Sequence, residues 1–363
     1  MGRLDLFVAD IISTPWAVLP ARGSVMLRVL LRRASGLRLS DWEVEEVIGR
    51  DRDRYAARRE GDARMSGRGV AVLPIFGLLV HREHEAANVS GGGMVSTEGI
   101  ATAFRAVIAD PQVGTIVLDI DSPGGSVFGV EELADVIAAS EKPVVAVANA
   151  LAASGAYWIA AQANEVIVTP SGEIGSIGVY AVHEDISKAM EMEGITPTII
   201  SAGRYKVEGN PLAPFTAEAR TAIQARVDDY YSAFVRAVAR GRGVTPSAAR
   251  GGFAEGRVVG AEEAVALGMA DRIATLDETV ARIMDGGRVR KRPAQAAVAP
   301  TEAQQVSGSS RDGTQATTIH VSAEACVLPA EAGTKPLAVD DTDTRERELA
   351  LITPQAGFES SAN

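Results

Sequence analysis

An α/β protein on a largely parallel sheet follows from three features of this sequence. Short β-branched runs alternate with amphipathic stretches across the middle of the chain. Two of those runs are apolar without a break, as strands covered on both faces must be. Glycine-bearing turns recur where the runs end, so the connections are short and the crossovers right-handed.

In chain order, residues 1–68 form a preface rich in Arg, Asp and Glu, with helical spacing over 40–59 and no strand signal. Residues 69–285 carry the alternation. Strands are predicted over 70–76, 115–120, 144–148, 165–169, 179–182 and 196–201, and the unbroken apolar runs are Ile116 to Leu118 and Val144 to Val147. Helices are predicted over 97–109, 130–140, 152–162 and 185–193. A longer one over 216–240 is opened by Thr216 as N-cap, with Glu218 in its first turn. Residues 286–363 form a tail of Ala, Ser, Thr, Gln and Pro whose only aromatic is Phe358. Such a segment buries too little apolar surface to offset its ordering entropy, so disorder is expected there, with a short helix over 345–352.

Composition removes several function classes. A net charge of −11 is the wrong sign for a nucleic-acid binder, which needs surplus clustered Lys and Arg. The single cysteine, Cys326, forbids an internal disulfide and any multi-thiolate metal site. Asp5 and Asp10 interrupt the N-terminal apolar stretch, Arg28 interrupts the next, and nowhere do 18 apolar residues run together. The expectation is a cytoplasmic protein with no membrane span.

Three turns carry candidate chemistry. Asp121-Ser122-Pro123-Gly124-Gly125-Ser126 follows a buried strand, and its glycines let amide N–H groups face outward, as an oxyanion or phosphate requires. A plain strand-to-helix turn would use the same glycines. In Ala152-Ala153-Ser154-Gly155-Ala156 one hydroxyl stands among small residues at a predicted helix N-terminus. Taken alone, the segment favours a Ser154 that caps the helix or packs in a crowded helix-sheet contact. Gly172-Glu173-Ile174-Gly175-Ser176-Ile177-Gly178 is a third such turn, and no Gly-Lys-Ser/Thr follows it, so it is not a Walker loop. Three turns at one sheet edge suggest one crevice, the usual ligand position in open α/β sheets.

A nucleophilic Ser154 needs a base. His81, His84, His183 and His320 adjoin no nucleophile in sequence and read as solvated or capping residues. His81, Glu83 and His84 have no strong metal-ligand spacing. Among the lysines, Lys142 precedes Pro143 in a turn, Lys188 falls on the polar face of a short helix, and Lys291 and Lys335 belong to the tail. Lys206 remains, just after a predicted strand. It must be desolvated to lose its proton near neutral pH, starting from about 10.4. An exposed loop lysine is the alternative.

Together these segments resemble the signal peptide peptidase A (protease IV) family of Ser-Lys peptidases, related in fold to Clp protease and the crotonases. The resemblance covers about residues 70–280. It includes Asp121 to Gly125, Ala152 to Gly155, Gly175 to Val179, Ser201 to Lys206, Gly256-Arg257-Val258 and the run from Ala261 to Asp271. It implies a Clp/crotonase-like fold of repeated β-β-α units and a serine endopeptidase needing no cofactor. It further implies Ser154 as nucleophile, Lys206 as base, Ser176 orienting the lysine amine, and amides near Gly124, Gly125 and Gly155 as the oxyanion hole. Family members form rings, so a homo-oligomer is expected, in some cases with the lysine reaching a neighbouring subunit's serine.

The preface and long tail resemble phage-encoded members, the minor capsid protein C type of head-maturation protease, for which scaffold, portal or capsid proteins are the expected substrates. The setting is then the host cytoplasm or a procapsid. Three other readings remain: a bacterial signal-peptide-peptidase-like protease, a catalytically dead capsid or scaffold protein, and a crotonase-type acyl-CoA enzyme. The last would need no serine and lysine at these two places.

Overall fold

A computed structural model of the chain describes residues 15–20, 23, 64–66, 69–82 and 94–289. The chain divides into two compact units, Met1–Val298 and Ala299–Asn363, and everything described lies in the first. The expected helices over 40–59 and 345–352, and the expected disorder of the tail beyond 289, lie outside the described residues.

The architecture is α/β on parallel strands. The centre of the larger sheet is β3 (Val70–Phe76), β6 (Thr115–Ser122) and β8 (Val144–Ala153), all parallel. The apolar runs in β6 and β8 are buried throughout because helices cover one face and a second hydrophobic cluster covers the other. β8 is twice the length expected, and its two halves have different neighbours. Val145 to Ala148 pair with β9 (Glu165–Val168), whereas Leu151 to Ala153 pair with β10 (Glu173–Gly175). β2 (Arg64–Ser66) and β11 (Val258–Gly260) close the edges antiparallel, and β12 (Arg272–Ile273) pairs with β9.

A smaller sheet lies alongside, in the order β1 (Trp16–Val18), β7 (Gly124–Ser126), β4 (Leu78–Val80), β5 (Met94–Ser96). It arises by repetition. β3 passes through Gly77 into β4, and β6 passes through Pro123 into β7. The first pair leads through β5 into α1 (Thr97–Ala109), and the second leads directly into α2 (Val130–Ala138). These are the repeated β-β-α units expected from the sequence.

The helices bury the faces their sequences dictate. α1 is capped by the Ser96 hydroxyl, which accepts from Gly99 N at 3.0 Å, and it buries Ile100, Phe104 and Val107 on one stripe. α3 (Gly155–Ala160) is buried on every side. Its Trp158 ring stacks on Phe234 of α5 (Ala217–Arg242) at 4.7 Å between centroids. Thr216 caps α5 as expected, accepting from Ala219 N at 3.1 Å, and Gly243 ends it with φ 69°. α6 (Pro246–Gly252), α7 (Ala261–Ala266) and α8 (Leu276–Met284) complete the unit.

Two predicted strands are absent, and two strands form inside the preface. Over 179–182 only Tyr180 forms a bridge, and residues 196–201 run as coil at the surface. The helix predicted over 152–162 starts at Gly155, because β8 continues to Ala153. The preface, which shows no strand signal in its sequence, contributes β1 and β2. The helix predicted over 185–193 appears as α4 (Ser187–Met192), with none of its residues buried.

Candidate active site

Strand register brings the three turns to one level. Ser122 of β6 lies opposite Ala152 of β8, and Gly175 of β10 lies opposite Ala153. The residues after these positions therefore leave the sheet at one edge, side by side. Gly124, Ser154, Gly155 and Ser176 come together there.

Ser154 occupies the corner between β8 and α3 with φ 55° and ψ −121°, a conformation that a residue bearing a Cβ adopts only under constraint. The constraint is visible. Its N–H donates to Gly175 O at 2.7 Å, and its carbonyl accepts from Trp158 N at 3.0 Å. The side chain does not cap α3, so the helix-cap alternative is not the one adopted. Its hydroxyl donates to Gly178 O at 3.4 Å, and the residue is 1% exposed. A sharp strand-to-helix corner that projects a hydroxyl away from the sheet is how a nucleophile elbow works.

The glycines around it are there for space. Gly124 has φ 90°, and a Cβ on it would stand 2.9 Å from Gly155 N. A Cβ on Gly125 would stand 1.9 Å from Leu79 O of the neighbouring β4. The Ser122 hydroxyl accepts from Gly124 N at 3.2 Å and so braces the turn. Ser176 is buried with φ 54°, and its N–H donates to Arg257 O at 2.7 Å. The N–H groups of Gly124, Ser154 and Ser176 are engaged within the protein and hold the turns in place, so an oxyanion would need other donors of the same turns.

Lys206 is not part of this cluster within one chain. It lies in an exposed turn, its own N–H bonded to Gly203 O at 3.2 Å, and no hydrogen bond joins it to Ser154 or Ser176. The whole stretch 182–207 stands out from the body. It exposes Met192 (83%), Ile200 (95%), Ile195, Ile199 and Tyr205. His183 anchors its base, with a ring nitrogen 3.1 Å from Gly209 O and the ring stacked on Phe215 at 4.0 Å. That is the structural role expected of a histidine outside the chemistry. His81 is exposed near Gly129, while Glu83, His84 and His320 lie outside the described residues. Among the described residues no group of His, Cys, Asp and Glu has the arrangement of a metal site. Nor, among them, is any helix long and apolar enough to cross a membrane.

Two further neighbours of the site were not singled out from residue patterns. Residues 15–19 lie along β7, and Tyr180 pairs with Trp16 across them. Burial pushes the Tyr180 phenol above its ordinary value of 10. The only local signal was a short apolar run, Trp16 to Leu19, held between Pro15 and Pro20.

Residues 137–290 match the family model described as Peptidase family S49. Among curated proteins, Capsid assembly protease C of Escherichia phage lambda is 32% identical over 248 residues, covering 65% of this chain and 56% of the phage protein. Head-tail preconnector protein GP5 of Enterobacteria phage P21 is 31% identical over 288 residues, covering 77% of this chain and 56% of that one. The chain thus spans about half the length of these curated relatives. A solved structure of a ClpP1 mutant from Listeria monocytogenes aligns with a TM-score of 0.38 at 14% identity, covering 58% of this chain and 94% of that chain.

Proposed function

From a chain that carries a Peptidase family S49 domain over residues 137–290, we propose a serine endopeptidase with Ser154 as nucleophile and Lys206 as general base. One observation carries this reading: Ser154 is forced into a strained corner between three glycine-bearing turns, its hydroxyl free of helix capping. Attack of its oxygen on a peptide carbonyl produces a tetrahedral oxyanion, and N–H groups near Gly124, Gly125 and Gly155 receive that charge. A neutral Lys206 amine takes the serine proton and passes it to the leaving amine. Ser176, one residue beyond the Gly175 carbonyl that holds Ser154, orients that amine.

Lys206 lies on the surface, and a lysine that acts as a base needs desolvation, so something outside this chain's own core must cover it. The apolar residues flanking Lys206 supply the reason. A surface with Ile200 and Met192 almost bare belongs to an interface, and a second copy of the chain, packed there, carries Lys206 to a neighbour's Ser154. The working form is then a homo-oligomer with its peptidase domain over 69–285. The proposed substrates are scaffold, portal or capsid proteins, a choice supported by the capsid-assembly and head-tail preconnector names of two phage relatives.

The test is co-expression with the products of neighbouring genes, followed by mass spectrometry of the fragments. Ser154→Ala and Lys206→Ala should each abolish cleavage while leaving the thermal unfolding transition in place. Ser176→Ala should retain partial activity. Cleavage at the wild-type rate in either of the first two variants would mean that the dyad is wrongly assigned.

A further inference from the structure

The groove that a peptide would need is already filled by this chain. β1 runs antiparallel to β7 with Ala17 opposite Gly125 and Val18 opposite Gly124. Two bonds bracket the pairing: Leu19 N donates to Pro123 O at 2.9 Å, and Val127 N donates to Pro15 O at 3.3 Å. Since hydrogen-bonded pairs alternate along an antiparallel ladder, Ala17 and Gly125 form the pair between them. The other edge of β1 is occupied too. Trp16 N donates to Tyr180 O at 2.8 Å, and Tyr180 N donates to Trp16 O at 3.0 Å.

The position of one carbonyl is informative. Ala17 O lies 2.2 Å from where a Cβ of Gly124 would stand and 3.2 Å from where one of Gly155 would stand. These glycines flank Ser154, and their missing side chains leave room for that carbonyl. The Ala17 side chain faces the same glycine, 3.7 Å from where a Gly155 Cβ would stand, and Ala17 is fully buried. Trp16 and Val18 are 6% and 2% exposed. An extended segment bonded through its main chain on both edges, with a carbonyl against Gly124 and the glycine that follows Ser154, has the form of a bound peptide substrate.

We propose that residues 15–19 are a resident strand in the substrate groove, a pseudosubstrate that must leave before another chain can bind. The proposal rests on Ser154 being the nucleophile for its functional meaning, but not for the occupancy itself. It also defines the substrate class: an extended peptide with a small residue, alanine or glycine, at the carbonyl presented to Ser154. Ala17 is fully buried, so a larger side chain at that position finds no open space to enter.

The experiment measures binding, so it does not depend on catalysis. A fluorescently labelled peptide of residues 12–22 is titrated by anisotropy against two full-length proteins, both carrying Ser154→Ala so that bound peptide survives. One has the native N-terminal segment. The other has Ala17→Asp, which puts a carboxylate where a methyl group is fully buried and drives the strand out. The second protein should bind the peptide at least tenfold more tightly, and a peptide with the same Ala17→Asp change should not bind. Equal affinity for both proteins, or no binding to a variant that keeps its unfolding transition, overturns the proposal. Hydrogen exchange on the unaltered chain covers the case in which the variant fails to fold. Protection of the Trp16 and Tyr180 amides together is expected, and exchange at the rate of a free peptide overturns the proposal as well. If Ser154→Ala leaves proteolysis intact, the catalytic assignment fails while the binding result still stands.

Discussion

Ser154 shows how one residue's backbone can be set by its neighbours' lack of side chains. Its φ of 55° costs roughly 1–3 kcal/mol. The bonds to Gly175 O and from Trp158 N hold it there; Gly124 leaves room for the Ala17 and Ala153 carbonyls, and the close approach of β7 and β4 is open only because Gly125 has no Cβ. At Gly125 the obstacle is the Leu79 main chain, which cannot rotate aside. Gly125→Ala is therefore expected to cost about 3 kcal/mol. Gly260→Ala, with nothing within 4 Å of the added atom, should stay within about 0.5 kcal/mol. Chemical unfolding of the two variants compares them directly, and equal midpoints would contradict the crowding argument.

At the scale of the element, α3 and α5 together brace the Ser154 corner from behind. α3 is six residues long, too short to persist alone, so packing keeps it helical. Trp158 stacks on Phe234, and Gln162 Nε2 donates to Trp158 O at 3.0 Å and to Ala237 O at 3.1 Å, tying the two helices together. Gly241 permits this contact, since a Cβ there would stand 2.0 Å from Ala161 O. Phe234→Ala should lower stability by about 3–5 kcal/mol, because the cavity opens under an unyielding stack. Arg220→Ala, on the exposed first half of the same helix, should change it by no more than about 0.5 kcal/mol. Denaturant titrations of both proteins check the difference, and a small loss for Phe234→Ala would show that α3 is held by something else.

For the whole molecule, the body and the stretch 182–207 follow opposite rules. The body buries its large apolar residues; the stretch displays them next to Lys206. Replacing Met192 and Ile200 by Asp together should convert an oligomer into a monomer in light scattering and remove activity in parallel, without lowering the unfolding midpoint. An unaltered chain that remains monomeric at every concentration would refute assembly through this surface.

Local composition was enough for the parts that depend on burial alone. The runs of β3, β6 and β8 could be read because a strand covered on both faces has no polar residue to interrupt it, and the Thr216 cap could be read because capping acts within one turn. The glycine turns were legible for the same reason, since their positive φ values are a local requirement. Residues 196–201 have the β-branched composition of a strand, but a strand needs a partner edge, and among the described residues none pairs with them. β1 is the converse: four residues between prolines carry no periodicity, yet β7, more than a hundred residues later, and Tyr180 supply both edges. The surroundings of Lys206 and the filling of the groove depend on pairings between distant segments, and only the folded chain determines them.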